Sequence, residues 1–201
     1  IDEFINYQIL EIYSDNIDWP HNNIRYWRGD DPASLWRWIV YDLDASFGRA
    51  TRGYKNDTFK FALAASGKRK YGATPLRQLM KNPQFAAEFS QRFAAHLNTT
   101  YEPDRVIEVI DSMAAAIAPE MPDHIARWKT PKSLTYWQSE VERLRLFAEL
   151  RPGYIREFLR KRAKLSGDAT LTTQTIGAGD VRVSGVLVPD DYSGPHFKSL
   201  P

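Results

Sequence analysis

Four side chains in the first quarter of the sequence carry carboxylate or amide oxygens that could build a phosphoryl-transfer site: Asp18, Asn23, Asp42 and Asp44. In such a site one carboxylate orients the attacking hydroxyl, while an amide oxygen and further carboxylates hold Mg²⁺ on the phosphates. Asp18 and Asn23 reproduce the D-x-x-x-x-N spacing of protein kinases. The D-L-D-A-S-F-G segment only approximates their D-F-G element, which carries the second metal ligand. These residue types therefore predict metal-assisted phosphoryl transfer.

The segment between the two acidic pairs predicts a β-hairpin that brings them together. Residues 24–27 and 35–41 are rich in aromatic and branched side chains, and G-D-D-P-A-S at 29–34 is typical of a turn. Because a hairpin returns the chain to its starting point, we expect the four side chains to converge at one end. The alternative is a chance spacing in which the Asp-rich segments are solvated turns. Four of the six tryptophans surround this segment, and that conjunction favours the site: Trp19, Trp27, Trp36 and Trp38.

The same segment resembles a known family. The runs I-D-W-P-H-N-N-I-R-Y-W-R and W-R-W-I-V-Y-D-L-D-A-S-F-G are similar to the signature of the CotH kinase family, the atypical protein kinases related to spore coat protein H. A weaker similarity extends from Asp2 to R-P-G-Y-I-R-E-F-L, which ends at Leu159. The resemblance implies a kinase-like fold and an ATP- and Mg²⁺-dependent Ser/Thr protein kinase of bacterial, spore-coat type.

The resemblance also implies roles for individual residues. Asp18 matches the catalytic-loop Asp, Asn23 matches the metal-binding Asn, and Asp42 matches the D-F-G-like Asp, with Asp44 as a second candidate metal ligand. Asn23 and Asp42 would thereby hold the ATP cofactor through Mg²⁺. The implied partner is a protein substrate, including Ser-rich proteins.

Composition restricts the other function classes. The 201 residues are 43% hydrophobic and 26% charged, which suits one good-sized domain with an appendage. A net charge of +2 with dispersed Lys and Arg argues against nucleic acid as a partner. Zero cysteines exclude disulfides and thiolate metal sites, and we expect no transmembrane segment because the apolar runs are too short. A secreted or cell-surface bacterial location is favoured over a cytoplasmic one.

Apolar residues recur at helical spacing in five segments, which should form the scaffold. Asp2 is expected to cap the first helix, Pro83 and Pro103 fit the first turns of two later helices, and all the apolar faces should be buried. The predicted faces are Phe4, Ile5, Ile9 and Ile12; Phe85, Phe89, Phe93 and Leu97; Val106, Ile110, Met113 and Ile117; Leu134, Trp137, Val141 and Leu144; and Tyr154, Ile155, Phe158 and Leu159.

The segment from Arg49 to Ala73 is rich in Gly and basic residues and predicts a mobile loop. In kinases this region contacts the protein substrate, so a basic segment would suit an acidic or phosphorylated partner; the alternative is a solvated connection. His21 is expected to be a hydrogen-bonding loop residue rather than a catalytic one. The other histidines lie far apart in the sequence, which argues against zinc.

After residue 166 the sequence becomes β-prone. Residues 170–175 and 181–188 predict the two strands of a hairpin, with Gly177 and Gly179 in its turn and a loop from Pro189 to Tyr192. We expect a domain boundary near Leu165, with residues 1–165 forming the kinase-like lobe and residues 166–201 beginning a separate β module.

The sequence thus predicts an α+β protein: a mostly helical large lobe of an atypical protein-kinase-like fold with a catalytic β-hairpin, followed by a C-terminal β segment. Kinases also use a small lobe that supplies a phosphate-binding Lys, which we expect upstream of Ile1. The 201 residues alone should therefore be inactive. The alternative is a non-catalytic cell-surface or coat-associated binding protein on the same scaffold.

Overall fold

The computed structural model of the chain describes residues 1–49, 53–163 and 167–198. Within these ranges the helices are α1 (Asp2–Tyr13), α2 (Phe59–Ala62), α3 (Lys70–Leu79), α4 (Pro83–Leu97), α5 (Pro103–Ile117), α6 (Met121–Trp128) and α7 (Leu134–Ala163). The strands are β1 (Arg25–Trp27), β2 (Arg37–Ile39), β3 (Asp168–Thr172), β4 (Val181–Val183), β5 (Val186–Val188) and β6 (Ser193–Phe197). All strand pairs are antiparallel, and the predicted α+β class is confirmed. Among the described helices, none combines the length and apolarity that crossing a membrane requires.

Helix α1 lies in the centre of the core. Its predicted apolar face is confirmed, since Ile5, Ile9 and Ile12 are completely buried. Ile1, not Asp2, occupies the cap position, and Asp2 lies in the first turn, where it forms an ion pair with Arg92 at 2.8 Å. A carboxylate in the first turn still complements the partial positive charge of a helix N-terminus.

The predicted hairpin is confirmed and is anchored on α1. Strands β1 and β2 pair with Tyr26 opposite Trp38. The Trp38 ring lies against Phe4 and Tyr7 of α1, with ring centroids 5.2 and 5.4 Å apart. One side chain of the hairpin is therefore fixed in the core, which sets the position of the strand ends near the candidate site.

Helix α4 forms as predicted. The Asn82 side chain caps it by accepting hydrogen bonds from the backbone N–H groups of Gln84 and Phe85, at 2.9 and 3.3 Å, and Pro83 occupies the first turn. Phe89 and Phe93 are completely buried on the predicted face.

Helix α5 contradicts the prediction that its apolar face is buried. Val106 and Ile110 are half-buried, but Met113 is 68% exposed and Ile117 is 50% exposed. The reason is that α5 packs mainly against one neighbour, α7, where Arg145 and Asp111 form an ion pair at 2.6 Å. A single neighbour covers only part of the helix circumference.

The last two predicted helices are one continuous helix, α7, with Pro152 inside it. A proline inside a helix removes one backbone hydrogen bond and costs about 3 kcal/mol. Buried residues lie on both sides of Pro152, among them Phe147, Ala148, Ile155 and Leu159. Their burial offsets that cost, so the helix continues.

The prediction of a loop is wrong for residues 53–62, which contain helical turns packed against the core, whereas residues 65–68 are exposed. A 3₁₀ turn at Gly53–Lys55 leads into α2, where Thr58 and Phe59 are buried. Residues 50–52 of the predicted loop lie outside the described ranges.

A buried arginine explains how the 53–58 segment packs on the core. The Arg151 guanidinium on α7 donates to the carbonyls of Gly53 and Asn56 at 2.9 and 2.6 Å, and to the carbonyls of Ile12 and Tyr13 at 2.7 and 3.0 Å. Burial lowers the pKa of Arg151 to about 10, so the group is still charged at neutral pH. One side chain thus joins α7, the end of α1 and the 53–58 segment.

The C-terminal strands pair differently from the prediction. Residues 181–188 form a hairpin by themselves, since β4 pairs with β5. Ser184 and Gly185 both have positive φ, 48° and 82°, as in the type I′ turn favoured by two-residue hairpins. Strand β3 pairs instead with β6, a strand that begins directly after the predicted loop at Pro189 to Tyr192.

These strands pack on α4. Val183, Val186 and Tyr192 cluster with Ala95, while Phe197 joins the main core and its carbonyl accepts a 2.6 Å hydrogen bond from Gln91 Nε2. The β segment and the helices therefore share buried surface. The boundary near Leu165 lies outside the described residues and stays a prediction.

Candidate active site

The loop that carries Asp18 begins directly after α1 and is held by its own polar side chains. Asn16 Oδ1 accepts a hydrogen bond from the Asp18 N–H at 3.1 Å, and the Asp18 carbonyl accepts one from the Asn22 N–H at 3.0 Å. Trp19 is buried in the core, and the Trp19–Pro20 peptide bond is cis. The Asp18 side chain is half-buried on this well-anchored loop.

Helix α3 holds the outer side of the same loop. Arg69, immediately before α3, donates to the carbonyls of Ile17 and Trp19, which flank Asp18. Gly72 allows close approach: a Cβ built there would lie 1.8 Å from the Pro20 carbonyl oxygen. Only a glycine permits this contact without displacing the loop or the helix.

Arg69 places a positive charge near Asp18. Burial, together with the positive charges of Lys68 and Arg69, lowers the pKa of His21, while the nearby Asp18 carboxylate opposes that shift. His21 is consequently neutral near pH 7. These three groups come from the Asp18 loop and from the chain entering α3.

Asn23 and Asp42 meet at the base of the hairpin. Asn23 Nδ2 lies 3.4 Å from the Asp42 carbonyl oxygen, and the Tyr7 hydroxyl lies 3.4 Å from the Asn23 carbonyl oxygen. Both residues have left-handed backbone conformations, with φ of 58° and 56°. Asn and Asp tolerate this conformation better than most residues, so the backbone is a second physical reason for their presence here.

Asp44 does not join that pair. It forms an ion pair with Arg49, and its side chain is 61% exposed. It lines a cleft of about 440 Å³ with Phe47 and Arg143. Asn23 instead lines a separate cleft of about 320 Å³ with His21, Asn22, Ile24, Arg25 and Tyr41.

The donor set fits a metal that is shared with phosphates. Because Asn23 Nδ2 points to the Asp42 backbone carbonyl, its Oδ1 is the atom that could take a cation, and Asp42 itself is exposed. Mg²⁺ typically uses one or two carboxylates and completes its shell with phosphate oxygens and water. The described residues contain no group of three His, Cys, Asp or Glu side chains that would hold a metal ion unaided.

Sequence reasoning missed the residues that support this site. Glu11, Asn16 and Arg69 each hydrogen-bond to the Asp18 loop or to one of its partners. The only signal in the sequence is Glu11 itself, a carboxylate within an otherwise apolar stretch of α1. Arg69 and Gly72 act across the fold, which no local pattern reports.

Comparison with known proteins gives one match. Residues 1–155 match the family described as CotH kinase protein. No curated protein and no solved structure matches the chain. The matched range contains α1, the Asp18 loop, the hairpin and most of the helical scaffold. Since the match covers well over half of the 201 residues, the chain belongs to the CotH kinase family.

Proposed function

We propose that this protein is an ATP- and Mg²⁺-dependent protein kinase that transfers a phosphoryl group to a Ser or Thr hydroxyl of a protein substrate, including Ser-rich proteins. The observation that carries the proposal is the contact of Asn23 with Asp42, beside the loop that holds Asp18, in a chain of the CotH kinase family.

Each residue has a defined task in this proposal. Asp18 orients the substrate hydroxyl and accepts its proton as the oxygen attacks the γ-phosphorus. Asn23 Oδ1 and the Asp42 carboxylate are the oxygens that would hold Mg²⁺, which would neutralise charge on the phosphates. Asp44 is the second candidate ligand, and its ion pair with Arg49 makes Asp42 the better one.

The cations near Asp18 suit a reaction in which negative charge accumulates. Arg69 holds the loop carbonyls, and Lys68 is exposed beside it. Fixed positive charge next to the transferring group stabilises a phosphoryl-transfer transition state.

The test separates binding from transfer in the protein at its natural length. ATP with Mg²⁺ should raise the melting temperature, and EDTA should abolish that shift. Asp18→Asn should keep the shift while radiolabel transfer to Ser-rich peptides falls about 10² to 10⁴-fold. Asp42→Asn should lose both. Asn is chosen because it tolerates the left-handed backbone at position 42.

Two controls sharpen this test. Asp30→Asn changes an exposed carboxylate near the hairpin tip and should alter neither measurement. Asp44→Asn should leave the nucleotide-dependent shift intact, and a full loss there would make Asp44 the ligand. Equal transfer by wild type and Asp18→Asn would refute the role of Asp18.

One observation favours a second candidate function, a non-catalytic cell-surface or coat-associated binding protein. The hairpin exposes Tyr26, Trp27 and Trp36, each more than half accessible to solvent. Exposed apolar patches of this kind mark interaction surfaces. Wild-type protein that binds a coat or surface partner through this hairpin, yet transfers phosphate to no substrate, would favour this function.

A further inference from the structure

The inner face of α1 contacts both ends of the D-x-x-x-x-N loop. Tyr7 and Glu11 lie one helical turn apart and are both buried. The Tyr7 hydroxyl lies 3.4 Å from the Asn23 carbonyl oxygen at one end of the loop. At the other end, Glu11 Oε2 accepts a 2.9 Å hydrogen bond from Asn16 Nδ2, and Asn16 Oδ1 accepts a 3.1 Å bond from the Asp18 N–H.

Burying the Glu11 carboxylate at this position is energetically unfavourable. Its side chain is completely buried, and its polar neighbours are the Asn16 amide, which donates to Oε2, and the Tyr7 hydroxyl. Burial raises the pKa of Glu11 to about 7. An apolar side chain or a glutamine would fill the same space at a lower desolvation cost. A buried carboxylate therefore calls for a role beyond packing.

The chemistry of a carboxylate supplies such a role. An ionised Glu11 can only accept hydrogen bonds, so the Asn16 amide must turn its NH₂ group toward Glu11 and its oxygen toward the Asp18 N–H. With an apolar residue at position 11, nothing on that side would fix which way the Asn16 amide points. Glu11 thus determines the orientation of the group that holds the Asp18 backbone.

We propose that Glu11 and Asn16 are positioning residues that fix the Asp18 side chain in its reactive orientation through the backbone of its loop. This inference rests on the proposed function of Asp18. A displacement of about 1 Å at a reacting group costs about 10²-fold in rate. Positioning of Asp18 should therefore appear in kcat rather than in KM for ATP·Mg²⁺, since the proposed ligand Asn23 lies at the other end of the loop and Asp42 lies after β2.

A pair of substitutions tests the hydrogen-bond chain in the protein at its natural length. Asn16→Asp places a second carboxylate beside Glu11, whose pKa is already about 7, so the two groups share a proton near neutral pH and oppose each other once both are ionised. Relative to wild type, kcat should therefore fall about 10²-fold as the pH rises from about 7 to about 9.5, with KM for ATP·Mg²⁺ unchanged within about twofold. Adding Glu11→Gln restores complementarity, because the new amide at position 11 can donate to the new carboxylate at position 16. The double variant should recover kcat to within a few-fold of wild type, as coupled residues do in a double-mutant cycle.

A second readout does not depend on activity. The Asp18 amide hydrogen should exchange faster in Asn16→Asp and return to the wild-type rate in the double variant, measured by NMR. Asn82→Asp is the matched control, since Asp caps α4 as well as Asn does; both kcat and Asp18 exchange should stay at wild-type values.

The outcomes separate this inference from the proposed function. If wild type transfers no phosphate, the proposed function fails and amide exchange alone decides the hydrogen-bond chain. Loss of both kcat and protection in Asn16→Asp, with recovery of both in the double variant, supports positioning. Wild-type kcat and exchange in Asn16→Asp at pH about 9.5, or a double variant no better than that single one there, would overturn it.

Discussion

Replacing Gly72 by Ala should separate α3 from the candidate catalytic loop. A Cβ at position 72 would lie 1.8 Å from the Pro20 carbonyl oxygen and 2.9 Å from Ile24 Cδ1. The first contact involves backbone on the loop side, so no side-chain rotation relieves it. The helix and the loop must therefore move apart by more than about 1 Å, a shift that costs about 10²-fold in rate when it reaches a reacting group.

Gly153 provides a matched control for the effect of Gly72→Ala on the free energy of unfolding. Gly153 lies within α7, and a Cβ there would meet nothing within 4 Å. Gly153→Ala should stabilise the protein by about 0.5 to 1 kcal/mol through helix propensity alone. Gly72→Ala gains a similar propensity term but adds an overpacking cost of about 1 to 3 kcal/mol, so it should be neutral or destabilising. The difference between the two variants isolates the contact with Pro20.

Two measurements check this prediction. Urea unfolding gives the free energies, and phosphate transfer by the natural-length protein gives kcat relative to wild type. Gly153→Ala should leave kcat unchanged, while Gly72→Ala should lower it about 10²-fold. Equal stabilisation by the two substitutions, with kcat unchanged in both, would show that α3 does not hold the loop.

Three further predictions concern the core. Phe89→Ala should cost about 3 to 5 kcal/mol in urea unfolding, and a loss below about 1 kcal/mol would place that face in solvent. Arg151→Met leaves buried carbonyls of α1 and of the 53–58 segment without hydrogen-bond donors, so it should lower the free energy of unfolding by at least about 3 kcal/mol. The control Arg105→Met changes an exposed arginine and should lower it by less than about 0.5 kcal/mol. Burial raises the pKa of Glu11 from 4.5 to about 7, so the folded state keeps a proton that the unfolded state loses, and the free energy of unfolding falls as pH rises between these values. Over the same pH range the stability of Glu11→Gln relative to wild type should increase by up to roughly 3 kcal/mol. A difference in stability that does not change with pH would contradict the raised pKa of Glu11.

Two helices with the same apolar period show what the sequence could and could not predict. In α4 the helical period correctly predicts burial of Phe89 and Phe93, whereas in α5 a similar helical spacing leaves Met113 and Ile117 exposed. Periodicity establishes that a helix has an apolar face. It does not establish how many neighbours cover that face, because this depends on the arrangement of the whole chain.

The candidate site also combines local features, which the sequence predicts, with tertiary contacts, which it does not. The hairpin is a local feature, and the sequence predicts both the hairpin and the approach of Asn23 to Asp42. The approach of Gly72 to Pro20 depends on packing between segments far apart in the chain. Strand β6 was missed because Gly194 and Pro195 have poor strand propensity, so its pairing with β3 is decided by tertiary contacts.

The packing of β6 on α4 has a consequence for synthesis on the ribosome. The bond from Gln91 to the Phe197 carbonyl spans 106 residues, and Phe197 belongs to the main core. Helix α4 emerges long before its last partner does, so Ala95 and its neighbours stay accessible while about a hundred more residues are translated. Chaperones could bind this face during that interval, and a nascent chain stalled before residue 190 would carry an incomplete core.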